Sequence, residues 1–191
     1  MNSELRTGDA LFIVDVQNDF CPGGALAVPE GDAVVPVLNR WIKRARAASL
    51  PIYASRDWHP REHSSFEHQD GQWPQHCVQG TEGAALHPEL ALPDDARILD
   101  KGTKLERDEY SAFQAGPLAE ELRGAGINRL WLGGLAQDVC VRQTALDARK
   151  AGFDVVLIEA ATRPIDAEGG REALEEMRNA GVQVMPGDNK A

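Results

Sequence analysis

Short apolar runs alternate with segments of helical periodicity along most of this chain. The apolar runs, at residues 10–16, 51–57, 97–101, 129–132, 154–161 and 182–185, are predicted to be strands, of which 97–101 is the weakest, and residues 10–16 have the composition of a strand buried on both faces of a sheet. Between them, residues 32–48, 111–126, 141–150 and 170–180 place apolar side chains at helical spacing, and Asp32 is predicted to cap the first helix. Strands that alternate with helices favour a parallel sheet with helices on both faces. We therefore predict an α/β fold, a three-layer α/β/α, Rossmann-like architecture around a six-stranded parallel sheet.

Composition favours a single globular domain of residues 1–191 and argues against several kinds of partner. The chain has 191 residues, of which 42% are hydrophobic, and this is enough for a full core. A formal net charge of −10 argues against nucleic acid or an anionic membrane as a partner. No apolar run approaches the length of a membrane span, so no membrane association is expected.

Cysteine usage and the N-terminal sequence predict a cytoplasmic protein. The cysteines are Cys21, Cys77 and Cys140, an odd number with no Cys-x-x-Cys pair, which fits a reducing compartment better than a disulfide framework. The first residues lack the basic and then apolar pattern of a signal peptide.

Residues 58–95 interrupt the alternation of strands and helices. This stretch is rich in His, Gly, Pro and Trp and is too long for a simple connection. A disordered linker would leave Trp58, Phe66 and Trp73 exposed to water. We therefore predict an ordered loop that carries function.

Cys140 follows a pair of glycines at a predicted crossing from strand to helix. Gly133 and Gly134 mark a tight turn where the backbone can approach a ligand closely. Cys140 then falls in the first helical turn, where unpaired N–H groups and the helix dipole favour a thiolate. It is a candidate nucleophile. The alternative is a cysteine that only packs in the core, as most free cysteines do.

Four chemically unusual residues lie at or just beyond the carboxyl ends of successive predicted strands: Asp15, Asp57, Lys101 and Cys140. Because the carboxyl ends of parallel strands share one sheet edge, where ligands bind, we expect these side chains to converge. Asp15 could accept the thiol proton and return it to a leaving amine, while Lys101 could hold the negative charge of the site and orient the aspartate. A plain Asp–Lys ion pair beneath a core cysteine is the alternative.

A second constellation has the composition of a metal site. Asp57 and His59 lie two residues apart on extended chain and so face the same side. With His76 they would supply one oxygen and two nitrogen ligands, a set suited to Zn, Fe or Mn as a divalent ion. His63 and His68 lie nearby and are further candidates. Solvated loop histidines without a metal are the alternative.

The motifs that carry these residues match a known family. They read VDVQNDFCPGGALAV at 14–28, SRDWHP at 55–60, WPQHCV at 73–78, KG at 101–102 with YSAF at 110–113, and GLAQDVCV at 134–141. In combination they resemble the nicotinamidases (pyrazinamidases) of the isochorismatase-like hydrolase superfamily, and the resemblance extends from about residue 9 to residue 186. It implies the isochorismatase-like hydrolase fold.

The resemblance assigns roles to both constellations. It implies that the catalytic triad is Asp15, Lys101 and Cys140, and that one divalent metal ion is bound by Asp57, His59 and His76. His63 corresponds to a histidine that is an extra ligand in some members only.

The resemblance also implies how the substrate is held. Phe20 and Trp73 would flank a pyridine ring, and Leu135 and Ala136 would complete the substrate site. The Leu135–Ala136 peptide bond would be cis, and the backbone N–H groups of Ala136 and Cys140 would form the oxyanion hole.

The implied activity is hydrolysis of nicotinamide to nicotinate and ammonia in NAD salvage, with pyrazinamide as a further substrate. Cys140 would attack the carboxamide to form a thioester, Asp15 would protonate the departing ammonia, and water would then hydrolyse the thioester with Asp15 as base. One departure from the family pattern is Gln137, where a threonine or similar small residue is usual.

Other functions stay open at this point. An N-carbamoyl amide hydrolase or an isochorismatase of the same superfamily is expected to lack the combined metal motifs. A thiol redox sensor would use Cys140 but has no resolving cysteine at useful spacing. A binding module with a degenerate triad is disfavoured because the triad is intact. A homo-oligomer is compatible with the sequence, since the family often associates.

Overall fold

The computed structural model describes residues 4–186, and six of its strands form one sheet. The strands are β1 (Asp9–Val14), β2 (Ile52–Asp57), β3 (Arg97–Lys101), β4 (Arg129–Leu135), β5 (Asp154–Arg163) and β6 (Gln183–Met185). Their order is β3-β2-β1-β4-β5-β6, and every neighbouring pair is parallel. The order reverses between β1 and β4, which is where a doubly wound sheet places its ligand. The predicted fold class is confirmed.

The two faces of the sheet are covered differently. The α-helices are α1 (Val34–Ala47), α2 (Leu118–Gly124), α3 (Arg142–Lys150) and α4 (Ala167–Asn179). On one face, Leu11 and Ile13 of β1 pack in the same cluster as α1. On the other face, Phe12 and Val14 pack in the same cluster as α2, α3 and α4. This alternation along a fully buried strand explains why β1 reads as a continuous apolar run.

The long connection between β2 and β3 takes the place of a second helix on the α1 face. Cys77, Ala84 and Leu90 of this segment are buried in the α1 cluster, and Phe66 is fully buried. Its regular structure is a single 3₁₀ turn, Glu67–Gln69, within the described residues. The predicted ordered loop is therefore present, and its burial fixes the functional residues that it carries.

Two of the helix predictions were wrong in detail. The segment 111–126 forms an α-helix over Leu118–Gly124 only, because Gly116 and Pro117 interrupt it after a 3₁₀ turn at Ala112–Gln114. The first helix begins at Val34, after a 3₁₀ turn over Gly31–Ala33, and no side chain caps it. Asp32 therefore lies inside that turn and does not act as the N-cap.

Helix α4 begins earlier than the apolar periodicity predicts. Asp166 accepts hydrogen bonds from the backbone N–H groups of Glu168 and Gly169, both at 2.9 Å. This N-cap starts the helix at Ala167 rather than at Gly170. Among the helices of residues 4–186, none has the length and apolar character needed to cross a lipid bilayer.

Candidate active site

Asp15 lies directly after β1 and is completely buried. Its backbone has a left-handed φ of 47°, which turns the chain out of the strand. The hydroxyl of Ser55 donates to Asp15 Oδ1 at 2.7 Å. Asp15 Oδ2 lies 2.8 Å from Lys101 Nζ, so the two side chains form a buried ion pair. Burial, reinforced by the nearby Asp57, raises the pKa of Asp15 against the opposing effect of Lys101.

Lys101 ends β3 and lies at the centre of the buried charges. Its ammonium contacts Asp57 as well as Asp15 and lies 3.5 Å from the sulfur of Cys140. Burial alone would lower the pKa of Lys101, but the two carboxylates hold it well above its usual range. The side chain is therefore charged, and it compensates two buried carboxylates.

Cys140 lies in a π-helical turn, Gln137–Val141, that joins β4 to α3. The residue is buried, and burial raises the pKa of its thiol well above the usual range despite the nearby Lys101. This shift is opposite in direction to the one expected from a helix start, because desolvation is the largest effect on the buried sulfur.

The backbone around Cys140 is shaped by the end of β4. Gly134 has a φ of 131°, and a Cβ at this position would lie 2.0 Å from the carbonyl oxygen of Val14. Only glycine therefore lets β4 approach β1 so closely. The next peptide bond, Leu135–Ala136, is cis, as the family resemblance implies.

Three buried side chains have the arrangement of a metal site. The candidate ligand atoms of Asp57, His59 and His76 all lie within 4.8 Å of one another. Asp57 Oδ2 is 3.7 Å from His59 Nε2 and 4.0 Å from His76 Nε2. Burial would raise the pKa of Asp57, but the charge of Lys101 holds it well below its usual range.

Backbone carbonyls orient the two histidines of this cluster. His59 Nδ1 lies 3.1 Å from the carbonyl oxygen of Gly102, and His76 Nδ1 lies 2.7 Å from that of Pro74. Because a carbonyl oxygen only accepts, each Nδ1 carries a proton, and in the neutral ring Nε2 then presents the lone pair. Burial also lowers the pKa of His76, which keeps its ring neutral. The donor set therefore fits a divalent metal ion.

Neither of the other two candidate histidines joins the cluster. Both ring nitrogens of buried His63 are engaged, since Nδ1 accepts from the Ser65 amide at 3.2 Å and Nε2 lies 3.1 Å from the carbonyl oxygen of Arg107. His68 is exposed and lies 3.3 Å from Glu62. Within the described residues, only Asp57, His59 and His76 form a group with this combination of histidine and carboxylate donors.

A pocket opens onto the thiol and the metal cluster. Its walls combine aromatic and aliphatic side chains with the polar cluster and include Phe20, Leu26, Val28, Trp73, Tyr110, Ala136, Val139 and Ile165, beside His59, His76 and Cys140. Trp73 is fixed in place, since its indole N–H donates to the hydroxyl of Tyr110 at 3.1 Å. Asp15 and Lys101 are buried behind Cys140. Leu135 has its side chain in the core rather than in the pocket wall.

Sequence reasoning missed one buried amide that holds the site together. The side chain of Gln17 donates to the carbonyl oxygen of Asp57 at 2.7 Å and accepts from the Asp57 amide at 2.7 Å. It also donates to the carbonyl oxygen of Ala84 at 2.9 Å. Gln17 thus joins the loop after β1 to the end of β2 and to the long connection. The sequence signal that could have identified Gln17 is its position two residues after Asp15.

Comparison with known proteins places the chain in a family. A sequence profile described as the isochorismatase domain matches residues 9–188. The chain belongs to the isochorismatase family. Nicotinamidase of Escherichia coli strain K12 is 42% identical over an alignment that covers 92% of this chain and 93% of that enzyme. The resemblance to nicotinamidases is therefore confirmed.

Solved structures of the family have the same fold. A pyrazinamidase of Pyrococcus horikoshii, in complex with zinc, is 46% identical with a TM-score of 0.91 and covers 93% of this chain and 98% of its own. The L. infantum protein PnC1, in complex with nicotinate, is 38% identical with a TM-score of 0.86 and covers 94% of this chain and 92% of its own.

Proposed function

We propose that this chain is a metal-dependent nicotinamidase that hydrolyses nicotinamide to nicotinate and ammonia in NAD salvage, and also hydrolyses pyrazinamide. The observation that carries the proposal is the convergence of Asp15, Lys101 and the Cys140 thiol beside a buried cluster of three metal donors. The identity to a nicotinamidase, the zinc in one related structure and the nicotinate in another support the same conclusion.

Asp57, His59 and His76 are the residues proposed to hold one divalent metal ion, which is Zn, Fe or Mn. Each imidazole has Nδ1 next to a backbone carbonyl and Nε2 towards the Asp57 carboxylate, and this set of two nitrogens and one oxygen favours a divalent cation. When bound, the ion supplies a positive charge and Lewis acidity next to the reacting thiol.

The first step is attack of Cys140 on the carboxamide. The thiol proton moves to Asp15, whose raised pKa makes it a competent base. Sulfur forms a bond to the carboxamide carbon, and the C=O π electrons move onto oxygen. Lys101 Nζ, 3.5 Å from the sulfur, stabilises the charge while the proton moves.

The second step releases ammonia and leaves a thioester. The N–H groups of Ala136 and Cys140 are proposed to donate to the developing oxyanion, and one such donor contributes about 3 kcal/mol to transition-state stabilisation in a well-studied protease. As the oxyanion collapses, the C–N bond breaks and Asp15 returns its proton to the departing nitrogen.

Hydrolysis of the thioester reverses these roles. Asp15 removes a proton from a water molecule, whose oxygen bonds to the carbonyl carbon. The C–S bond then breaks, the sulfur leaves as a thiolate, and the proton returns from Asp15 to sulfur. Lys101 keeps Asp15 next to the sulfur through both half-reactions, because it contacts both groups.

The pocket suits a small aromatic amide. Phe20 and Trp73 are proposed to flank the pyridine ring above Ala136, while Leu135 contributes through its backbone, since its side chain lies in the core. The family profile spans residues 9–188, which supports a single domain over residues 1–191. The cytoplasmic location and a homo-oligomeric state stay predictions.

The test is ammonia release from nicotinamide by the purified protein, measured before and after chelation. Release that disappears on chelation and returns with one divalent metal supports both the substrate and the metal site. No release from metal-loaded, folded protein overturns the substrate assignment and favours another carboxamide or an N-carbamoyl compound. An N-carbamoyl substrate and pyrazinamide belong in the same assay.

A further inference from the structure

We propose that Glu109 is a positioning residue that fixes the metal ligand His59 by holding the backbone of Gly102. Glu109 Oε2 accepts the Gly102 N–H at 2.9 Å, and the carbonyl oxygen of Gly102 lies 3.1 Å from His59 Nδ1. The inference rests on the proposed function only in taking His59 as a metal ligand.

Glu109 is an unusual residue in its surroundings. Residues 103–108 are all exposed, yet the Glu109 side chain is 3% exposed. Burying a carboxylate is costly unless it is paired or hydrogen-bonded. Its two oxygens are used by the Gly102 N–H and by Arg107 Nε, which lies 3.3 Å away. The contact that this carboxylate makes towards the protein interior is therefore the hydrogen bond from the Gly102 N–H.

Gly102 transmits this restraint to the imidazole ring of His59. Its φ is 64°, and a Cβ at this position would lie 2.4 Å from His59 Cε1. The Cα of Gly102 therefore packs directly against the ring. The carbonyl oxygen of Gly102 keeps the proton on Nδ1 and leaves Nε2 free, which is the tautomer that a metal requires. Because the N–H and the C=O of Gly102 are joined through this Cα, a shift of the Gly102 backbone would move the ring or release the tautomer.

The same residue also meets the neighbouring lysine. The carbonyl oxygen of Glu109 lies 3.3 Å from Lys101 Nζ. Glu109 thus contacts two consecutive residues, Lys101 through its backbone and Gly102 through its carboxylate, and closes the segment 101–109 over the site. A substitution of the Glu109 side chain removes the contact with Gly102 but keeps the backbone carbonyl that contacts Lys101. The effects of the two contacts can therefore be measured separately.

Zinc affinity of the metal-free protein tests this role without any substrate. It can be measured by competition with a chromophoric chelator for the wild type, Glu109→Met and Glu109→Gln, with the exposed Glu106→Gln as the control. Glu109→Met fills the buried volume without an acceptor, and we expect it to weaken zinc binding about 10–100-fold. Glu109→Gln keeps an acceptor for the Gly102 N–H and should stay within about threefold of the wild type. Glu106→Gln should change nothing.

A ring-nitrogen NMR spectrum of the metal-free protein gives a second readout. The Nδ1–H signal of His59 should be present in the wild type and Glu109→Gln and should be broadened or lost in Glu109→Met. Circular dichroism shows whether Glu109→Met folds. If it does not, Glu109→Ala and Glu109→Leu replace it as variants without an acceptor.

Three results would overturn the proposal. The first is wild-type zinc affinity in a folded Glu109→Met, and the second is a Glu109→Gln that binds as weakly as Glu109→Met, since charge rather than the hydrogen bond would then act. The third is zinc binding that His59→Ala does not weaken, because His59 would then not be a metal ligand. Failure of nicotinamide turnover alone would affect the proposed substrate and would leave this inference standing.

Discussion

Asp57 and Lys101 form an ion pair across the last paired residues of β2 and β3. The other carboxylate oxygen of Asp57 faces the two histidines of the metal cluster. The sequence suggests two separate constellations, a triad and a metal site. In the structure they share this aspartate, so the charge of Lys101 acts on both.

Replacing Lys101 by methionine should destabilise the protein. The substitution keeps much of the side-chain volume but leaves the carboxylates of Asp15 and Asp57 buried without their cation. Breaking a buried ion pair in this way costs about 3–5 kcal/mol of unfolding free energy. Urea unfolding of the metal-free protein measures the change, with the exposed Lys104→Met as the control. A loss below about 1 kcal/mol, typical of a surface substitution, would contradict the account.

Removing either proposed histidine ligand should abolish tight metal binding. His59→Ala and His76→Ala each take away one of three ligands, so zinc affinity should fall by more than about 100-fold, beyond the effect of losing an outer-shell partner. Exposed His68 lies in the same long connection and pairs with Glu62, so His68→Ala is the matched control and should bind normally. Calorimetric titration of the metal-free proteins provides the comparison. Equal affinity in all three variants would refute the ligand set.

Asp9 and Arg129 should stabilise the fold in a pH-dependent way. Asp9 is buried, lies beside Arg129 in the sheet register, and accepts from its Nε at 2.8 Å and from the indole N–H of Trp131 at 2.9 Å. Burial alone would raise the pKa of Asp9, but hydrogen bonds from Arg129, Arg6 and Trp131 hold it below its ordinary value of 3.8. Asp9→Asn should therefore cost about 3–5 kcal/mol at neutral pH.

The sign of this pH dependence follows from the lowered pKa. Because the folded protein binds the Asp9 proton less tightly than the unfolded chain, the contribution is complete above the ordinary carboxyl pKa and fades as the pH falls through and below it. The difference in unfolding free energy between wild type and Asp9→Asn should shrink on acidification. A difference that stays constant in urea titrations from neutral to acid pH would argue against the charged pair.

Tyr110→Phe should weaken substrate binding more than it slows chemistry. The Tyr110 hydroxyl accepts from Trp73 Nε1 at 3.1 Å and from Gln72 Nε2 at 3.0 Å, and so fixes one wall of the pocket. Losing a hydrogen bond of about 1 kcal/mol should raise KM roughly fivefold with little change in kcat. Tyr53→Phe is the control, since Tyr53 lies in β2 with its ring stacked against Phe12 of β1. A large fall in kcat with unchanged KM would contradict this role.

The fold could be predicted because each layer leaves a periodic signal. Buried parallel strands appear as continuous apolar runs, and their order along the chain predicts the edge where Asp15, Lys101 and Cys140 meet. Helix ends were less predictable, since they depend on single residues. Pro117 breaks the segment that was predicted as one helix, and Asp32 is held in a 3₁₀ turn rather than at a cap.

The supporting residues of the site could not be predicted in the same way. Gln17 and Glu109 act on backbone groups of Asp57 and Gly102, and these contacts depend on loop conformations that leave no periodic pattern. The direction of the pKa shift of Cys140 was also beyond sequence reasoning, because it depends on how completely the folded chain excludes water from the thiol. Sequence motifs therefore identify the reacting groups, whereas the structure identifies what orients them.

The most direct test of the central claim compares nicotinate formation by metal-loaded wild type and Cys140→Ala. The account predicts turnover by the wild type and a loss of at least about a thousandfold in the variant, as for other catalytic nucleophiles. Zinc affinity and circular dichroism of the variant should match the wild type, because Cys140 is not among the three proposed metal ligands. A folded, metal-loaded Cys140→Ala that still forms nicotinate at the wild-type rate would contradict the thioester mechanism.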